Sequence, residues 1–203
     1  MKKFTFLFMW AVLGTIVFAQ PKFGIKAGLN LSNLKGEDES MDARVAPLFG
    51  AFAEFGISDK LAFHPELVYS MEGAKDKYSE VEAGYDYSSE ETIKLGYLNV
   101  PLLLKYKIGS GISVLAGPQV GFLLDAKSKW ELSEDGENTS GTEDIKEYLK
   151  STNFGLSFGA GWECEKGIGI DARYNLGLSN IYDGEGDGEM KTKGFQIAVF
   201  YKF

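Results

Sequence analysis

The 203-residue chain has room for one domain and carries 29 Asp and Glu against 21 Lys and Arg, a net charge of −8. That balance excludes the basic footprint that nucleic-acid binding needs. A single cysteine, Cys164, excludes an internal disulfide, so an exported chain of this kind must be held by its own hydrogen bonds and packing.

The N-terminus reads as a processing signal. Lys2 and Lys3 precede an apolar run over residues 4–17, and Val17-Phe18-Ala19 supplies small residues at −3 and −1 of a cleavage site before Gln20. The run is short for a membrane span and no basic stop follows it. Residues 1–19 are therefore expected to be a cleaved signal peptide, with residues 20–203 forming the mature barrel domain.

Eight segments then alternate between apolar and small or polar residues with period two, the signature of strands with two unlike faces. They cover residues 22–33, 45–57, 61–71, 94–108, 112–125, 152–164, 168–181 and 193–203. The phase slips within the fourth, where Leu95 and Tyr97 share one face but Leu98, Val100, Leu102 and Leu104 the other. This predicts a bulge near Leu98. Pro47, Pro65, Pro101 and Pro118 each remove a ladder donor and predict irregular pairing. In the last segment Phe195, Ile197, Val199, Tyr201 and Phe203 form one apolar face, and Phe200 is a misfit on the other.

The connections alternate in length. Ser58-Asp59-Lys60, Gly109-Ser110-Gly111 and Glu165-Lys166-Gly167 are short; residues 34–44, 72–93, 126–151 and 182–192 are long. The long segments hold 22 of the 29 acids, and 142–150 reads as a short helix. Short turns at one end and long loops at the other predict an all-β fold, an eight-stranded antiparallel up-and-down transmembrane β-barrel with periplasmic turns and extracellular loops.

Eight strands enclose only enough room for side chains to fill. The small, polar faces fit inside, so the bulky apolar faces are assigned to lipid. Phe55, Phe63, Tyr106, Trp162, Tyr201 and Phe203 would form an aromatic girdle near the short turns. The interior then receives Lys26, Lys105, Arg173 and Lys202 with Glu54, Glu66, Glu163 and Asp171, joined by His64. Unpaired buried charge is costly, so these nine are expected to form an ion-pair network rather than a pore lining. A lone histidine with no Ser–His–Asp arrangement gives no catalytic site. Asp183, Glu185 and Asp187 resemble the first half of a calcium loop, but the twelfth position is Gly194 where a Glu is needed. They are expected to serve only as weak cation contacts, with no specific metal and no cofactor.

The closing strand resembles the C-terminal strand of outer-membrane proteins, which ends in Phe and in those families is read by the barrel-assembly machinery. KFGIKAGLNLSNL, FHPELVYSMEG, YLNVPLLLKYKI, LAGPQVGFLL and DARYNLGLSNI followed by GFQIAVFYKF resemble, in order, the PorT-like outer-membrane β-barrel family. The resemblance implies a barrel in the outer membrane of a Gram-negative envelope and defines no catalytic signature. The function expected is that of a non-enzymatic surface anchor or interaction protein with acidic loops. A transport or secretion accessory of porin-like kind is the alternative, and a soluble exported barrel holding an apolar ligand a further one. The expected partners are outer-membrane lipids, the assembly machinery during insertion, and envelope or secretion proteins met through the loops.

Overall fold

The two faces of each ribbon cannot both meet water without cost, and rolling the sheet into a ring gives each its own surroundings. The computed structural model describes residues 20–36, 41–82, 85–134, 137–184 and 188–203, with backbone only at 80–82, 85 and 86. Among the described residues, nine strands follow in chain order: β1 (Lys22–Lys35), β2 (Asp42–Gly56), β3 (Leu61–Glu82), β4 (Tyr85–Gly109), β5 (Ile112–Glu134), β6 (Glu137–Asp144), β7 (Thr152–Glu163), β8 (Ile168–Gly177) and β9 (Lys191–Lys202). Eight of them close a ring, β1-β2-β3-β4-β5-β7-β8-β9, in which every neighbour pair is antiparallel. The seam between first and last strands runs from Gly24↔Lys202 to Lys35↔Lys191, and the Phe203 N–H donates to the Phe23 carbonyl at 2.8 Å. An up-and-down ring with no free edge satisfies its own backbone, which is the requirement for a strand structure in hydrocarbon.

The short connections lie at one rim. Gly109, Ser110 and Gly111 all take positive φ (142°, 52° and 81°), a turn that glycine makes at little cost. The opposite rim differs from the sequence reading. Residues 72–93 are not a loop: β3 and β4 continue as a hairpin with unbroken register from Gly73↔Lys94 to Glu82↔Tyr85. Residues 126–151 likewise carry β5 onward, and β6 folds back against it from Lys127↔Asp144 to Glu134↔Glu137. A four-stranded sheet, β3-β4-β5-β6, thus rises beyond the ring. The helix expected over 142–150 shrinks to a 3₁₀ turn at Lys146–Tyr148, because Thr142, Glu143 and Asp144 are taken by β6. These segments alternate without an apolar face, so apolar periodicity could not reveal them.

The bulge expected near Leu98 lies beside it, at Gly96 and Tyr97, but its extra residue is on the facing strand, and β3 and β4 stay in register throughout. Leu95 and Tyr97 point into the barrel with Asn99, Leu103 and Lys105. The local irregularity is in β5, where Gly96↔Asp125 is followed by Tyr97↔Leu123 and Leu124 is the extra residue. A second lies in β2 between Ala43 and Leu48, beside Pro47, where a donor is missing.

Phe200 also has a place. It lies inside the ring, edge-on to Phe52 at 5.7 Å between centroids, and Phe52 stacks on His64 at 4.7 Å. Each ring lies over a glycine directly across the ladder, Phe52 over Gly24 and Phe200 over Gly169. A Cβ at either glycine would come within 2.2 Å of the ring's Cζ. The glycines are what admit two aromatic rings to a narrow lumen.

Gly169→Val is therefore expected to cost about 1–3 kcal/mol by overpacking, seen as a lower urea midpoint of the protein in detergent micelles. Adding Phe200→Ala should recover part of that loss, because the two changes share one space. Strictly additive losses would show that the ring and the glycine do not share it.

Candidate functional site

Inward positions on seven strands converge near the short-turn rim. Lys26 comes from β1, Glu54 from β2, His64 and Glu66 from β3, Lys105 from β4, Glu163 from β7, Asp171 and Arg173 from β8, and Lys202 from β9. The structure brings all nine together. Arg173 grips Glu66 with both Nη atoms, Nη2 to Oε1 at 2.6 Å and Nη1 to Oε2 at 2.8 Å. It also lies 3.1 Å from Asp171 through Nε. Lys26 Nζ sits 3.0 Å from Asp171 and 3.4 Å from Glu66. A second group joins Lys105 to Glu54 (2.7 Å) and Glu163 (3.2 Å), and Lys202 to Glu163 (2.5 Å) and Glu54 (3.5 Å).

His64 bridges the groups, Nε2 at 3.0 Å from Glu66 and Nδ1 at 3.8 Å from Glu54. Seven of the nine are 5% exposed or less; Glu163 and Lys202 are half-buried. Four cations face four carboxylates, which is how buried charge is tolerated. Lys107, absent from the sequence reading, adds an ion pair to Glu54 at 3.4 Å from the rim. Its signal was parity: it lies two residues beyond Lys105 on the same face.

Further along the lumen the lining becomes mostly uncharged and polar. Asn30 donates to Ser70 Oγ (3.3 Å) and Asn153 to Thr192 Oγ1 (2.8 Å). The buried Glu72 carboxylate accepts from Asn99 Nδ2 at 2.8 Å. At the loop rim the interior turns apolar. Leu34, Ala74, Ile93, Leu95, Tyr97, Leu123 and Ala126 from the strands pack with Leu149 and Ile181 from the loops. Those two loops are tied together by Lys150 N–H to Ile181 O (2.8 Å) and Asp183 N–H to Tyr148 O (2.9 Å). Nothing in the sequence around Leu149 or Ile181 marked them as a plug, because their burial depends on loops distant in the chain.

The lumen is thus filled in three layers. Two internal spaces, one beside Glu72 and Asn153 and one beside His64 and Arg173, measure about 10 Å³ each, room for at most about one water. Among the described residues, neither space has room for an apolar ligand.

The outer surface is the reverse. Phe23, Ile25, Leu29, Phe49, Leu67, Leu104, Val114, Phe122, Phe158 and Ile170 all point out and stay exposed. So do Phe195, Ile197, Val199, Tyr201 and Phe203, 42–69% exposed. An apolar surface continuous around a ring, far beyond the patch a soluble monomer exposes, is what a lipid contact requires. Tyr106, Trp162, Tyr201 and Phe203 are exposed near the short-turn rim, where Phe55 and Phe63 also pair at 6.3 Å. Among the described residues no helix is long and apolar enough to cross a membrane.

The sheet beyond the ring is polar. On its outward face Glu90 joins Lys75 (3.0 Å) and Lys77 (2.9 Å), and Lys129 joins Glu131. The lysine contacts hold the Glu90 carboxyl below its ordinary range, Lys77 foremost. On the other face Trp130 covers Gly141 and Tyr78 meets Tyr87 at 6.2 Å. Of the three acids in the 183–187 segment, Glu185 and Asp187 lie outside the described residues. Among those described, no group of three or more His, Cys, Asp or Glu is placed to hold a metal.

A family model described as outer membrane protein beta-barrel domain matches residues 18–183. No curated protein matches the chain in sequence. Among solved structures, the chain is similar to the attachment invasion locus protein Ail of Yersinia pestis, crystallised with the heparin analogue sucrose octasulfate. The identity is 13% and the TM-score 0.49, covering 91% of this chain and 100% of that one. It is also similar to Neisserial surface protein A, at 11% identity and TM-score 0.42 over 89% and 97% of the two chains. A further likeness is to the outer membrane protein OprG of Pseudomonas aeruginosa, at 15% identity and TM-score 0.37 over 90% and 95%.

Removing one partner from the buried network leaves charge without compensation. Glu66→Ala is expected to lower stability by about 3–5 kcal/mol, read from urea unfolding in micelles at neutral pH. Lys107→Ala, at the half-exposed edge of the same network, should cost only about 0–1 kcal/mol. Equal losses would mean that burial does not set the strength of these pairs.

Proposed function

The chain belongs to the outer membrane protein beta-barrel domain family, and from that premise we propose that it is a non-enzymatic integral protein of the outer membrane. The barrel serves as an anchor, and the sheet and loops beyond the loop rim meet envelope or secretion partners. Its place within the family is the PorT-like branch, on the motifs spread along its strands. Export proceeds through cleavage after Ala19, and the closing strand from Phe195 to Phe203 is presented to the barrel-assembly machinery during insertion.

One observation carries this reading: the apolar residues clothe the outside of the ring while the inside is packed with paired charge and a hydrophobic plug. A conducting pore needs a continuous wet path, and about 10 Å³ per internal space offers none. Catalysis on a barrel needs reactive groups open to substrate. His64, the sole histidine, is instead 4% exposed and engaged by two glutamates. What remains accessible on the far side of the membrane is the β3-β4-β5-β6 sheet. Its groove of about 400 Å³, lined by Lys77, Ser79, Ser88, Glu90, Ser133 and Asn138 among others, is the surface offered to partners.

Membrane fractionation tests the anchor: the protein should leave the membrane only with surfactant, and recovery in plain buffer as a monodisperse species would overturn the assignment. Reconstituted into planar bilayers, it should give no steady single-channel steps. Reproducible steps would replace the anchor by a pore.

A further inference from the structure

Above the apolar belt, the outward face of this acidic protein carries lysines set directly opposite one another across two seams. Towards the loop rim, the last bulky apolar residues facing outward are Leu31 on β1, Phe195 on β9, Leu98 on β4 and Leu124 on β5. At the β1–β9 seam the next outward pair is Asn33↔Lys193, and the one after it is Lys35↔Lys191. At the β4–β5 seam the next outward pair is Gly96↔Asp125, and the one after it is Lys94↔Lys127. Two lysine pairs thus stand at the same step beyond the belt. In the ring order the two seams lie on opposite sides of the barrel.

Like charges directly opposite one another across strands repel, with Cβ atoms about 4.5–5.5 Å apart. Lys35, Lys94 and Lys127 form no ion pair among the described residues. Lys191 has Glu189. Asp144 lies across the ladder from Lys127, and its Oδ1 accepts the Lys146 N–H at 3.0 Å. Glu37, Asp38 and Glu39, which follow Lys35 in sequence, are outside the described residues. Beside the β4–β5 pair, Arg44, Lys75, Thr92 and Lys129 line a hollow of about 300 Å³ with Lys94, Glu90 and Glu131. Beneath the β1–β9 pair, Leu29, Leu31, Val45, Phe195, Ile197 and Val199 line an apolar groove of about 370 Å³ on the lipid-facing side.

We propose that this collar holds the phosphate-bearing headgroups of membrane lipid in the leaflet on the loop side. The proposal rests on the barrel being a membrane anchor. A phosphate placed between two opposed ammonium groups turns a repulsive pair into a charge-assisted one. Lysines just beyond a hydrocarbon belt reach the headgroup level by extending their stems along the apolar surface. The location selects lipid over a soluble anion. The pairs face outward, away from the lumen, immediately above acyl-chain contacts, and the groove below the β1–β9 pair accommodates the chains of a bound lipid.

The full mature chain, folded in micelles, is offered an equal mixture of phosphatidic acid and phosphatidylcholine, and retained lipid is counted by native mass spectrometry. At about a factor of five per lysine, each pair should favour the phosphate monoester about thirty-fold. K35Q/K191Q/K94Q/K127Q should bring the two lipids to parity while still migrating faster unboiled than boiled, the mark of a closed barrel. Wild-type parity, or an unchanged preference in the quadruple variant, would overturn the collar. Full displacement of the lipid by inorganic phosphate or by a soluble sulfated polysaccharide would reassign it to soluble anions. Recovery without surfactant would instead defeat the anchor on which the proposal rests, so the two failures are distinguishable.

Discussion

Closure of the β1–β9 seam is the constraint from which the remaining features follow. Strands in hydrocarbon must pair every backbone group, and a ring is the arrangement that leaves no edge. Once eight strands close, the lumen is fixed at a width that side chains alone can fill. The outward positions must then carry the bulky apolar residues, and the inward ones must be small, paired, or matched to a glycine across the ladder. Phe52 over Gly24 and Phe200 over Gly169 are the clearest case. Two rings enter the lumen only because the opposing strand gives up its side chains there.

The filled lumen divides along its length. Near the short turns the inward residues are ionic, and they are tolerated because each carboxylate has at least one cation within 3.0 Å. Nearer the loops the inward residues are apolar, and loop residues Leu149 and Ile181 complete the packing. The two ends are therefore closed by opposite chemistry. The ionic end is assembled from strands alone and is rigid by register. The apolar end needs the loops, so its integrity reports on loop conformation.

Beyond the ring the same strands continue as a polar sheet. Its backbone order comes from the register inherited from the barrel, since β3 and β4 pass the loop rim without a shift. Its cross-strand ion pairs add little individually, and the underlying barrel, rather than those pairs, orients the sheet. This places a wide polar face and the lysine collar at fixed heights above the belt. An anchor used for surface contact needs that property.

The sequence alone determined the strand count of the ring, the alternation of short and long connections, and which residues face inward on most strands, because period-two alternation is a local property. For the same reason it assembled Lys26, Glu54, His64, Glu66, Lys105, Glu163, Asp171, Arg173 and Lys202 on one interior. It misread Leu95 and Tyr97 as a phase slip, because apolar residues were assigned to the outside by chemistry instead of by parity. It took residues 72–93 and 126–151 for loops, because strands with two polar faces leave no apolar trace. Only the tertiary structure decided which charges pair, that Leu149 and Ile181 meet over the lumen, and that lysines stand opposite lysines across two seams. Those facts depend on register between strands far apart in the chain, and register is fixed only when the ring closes.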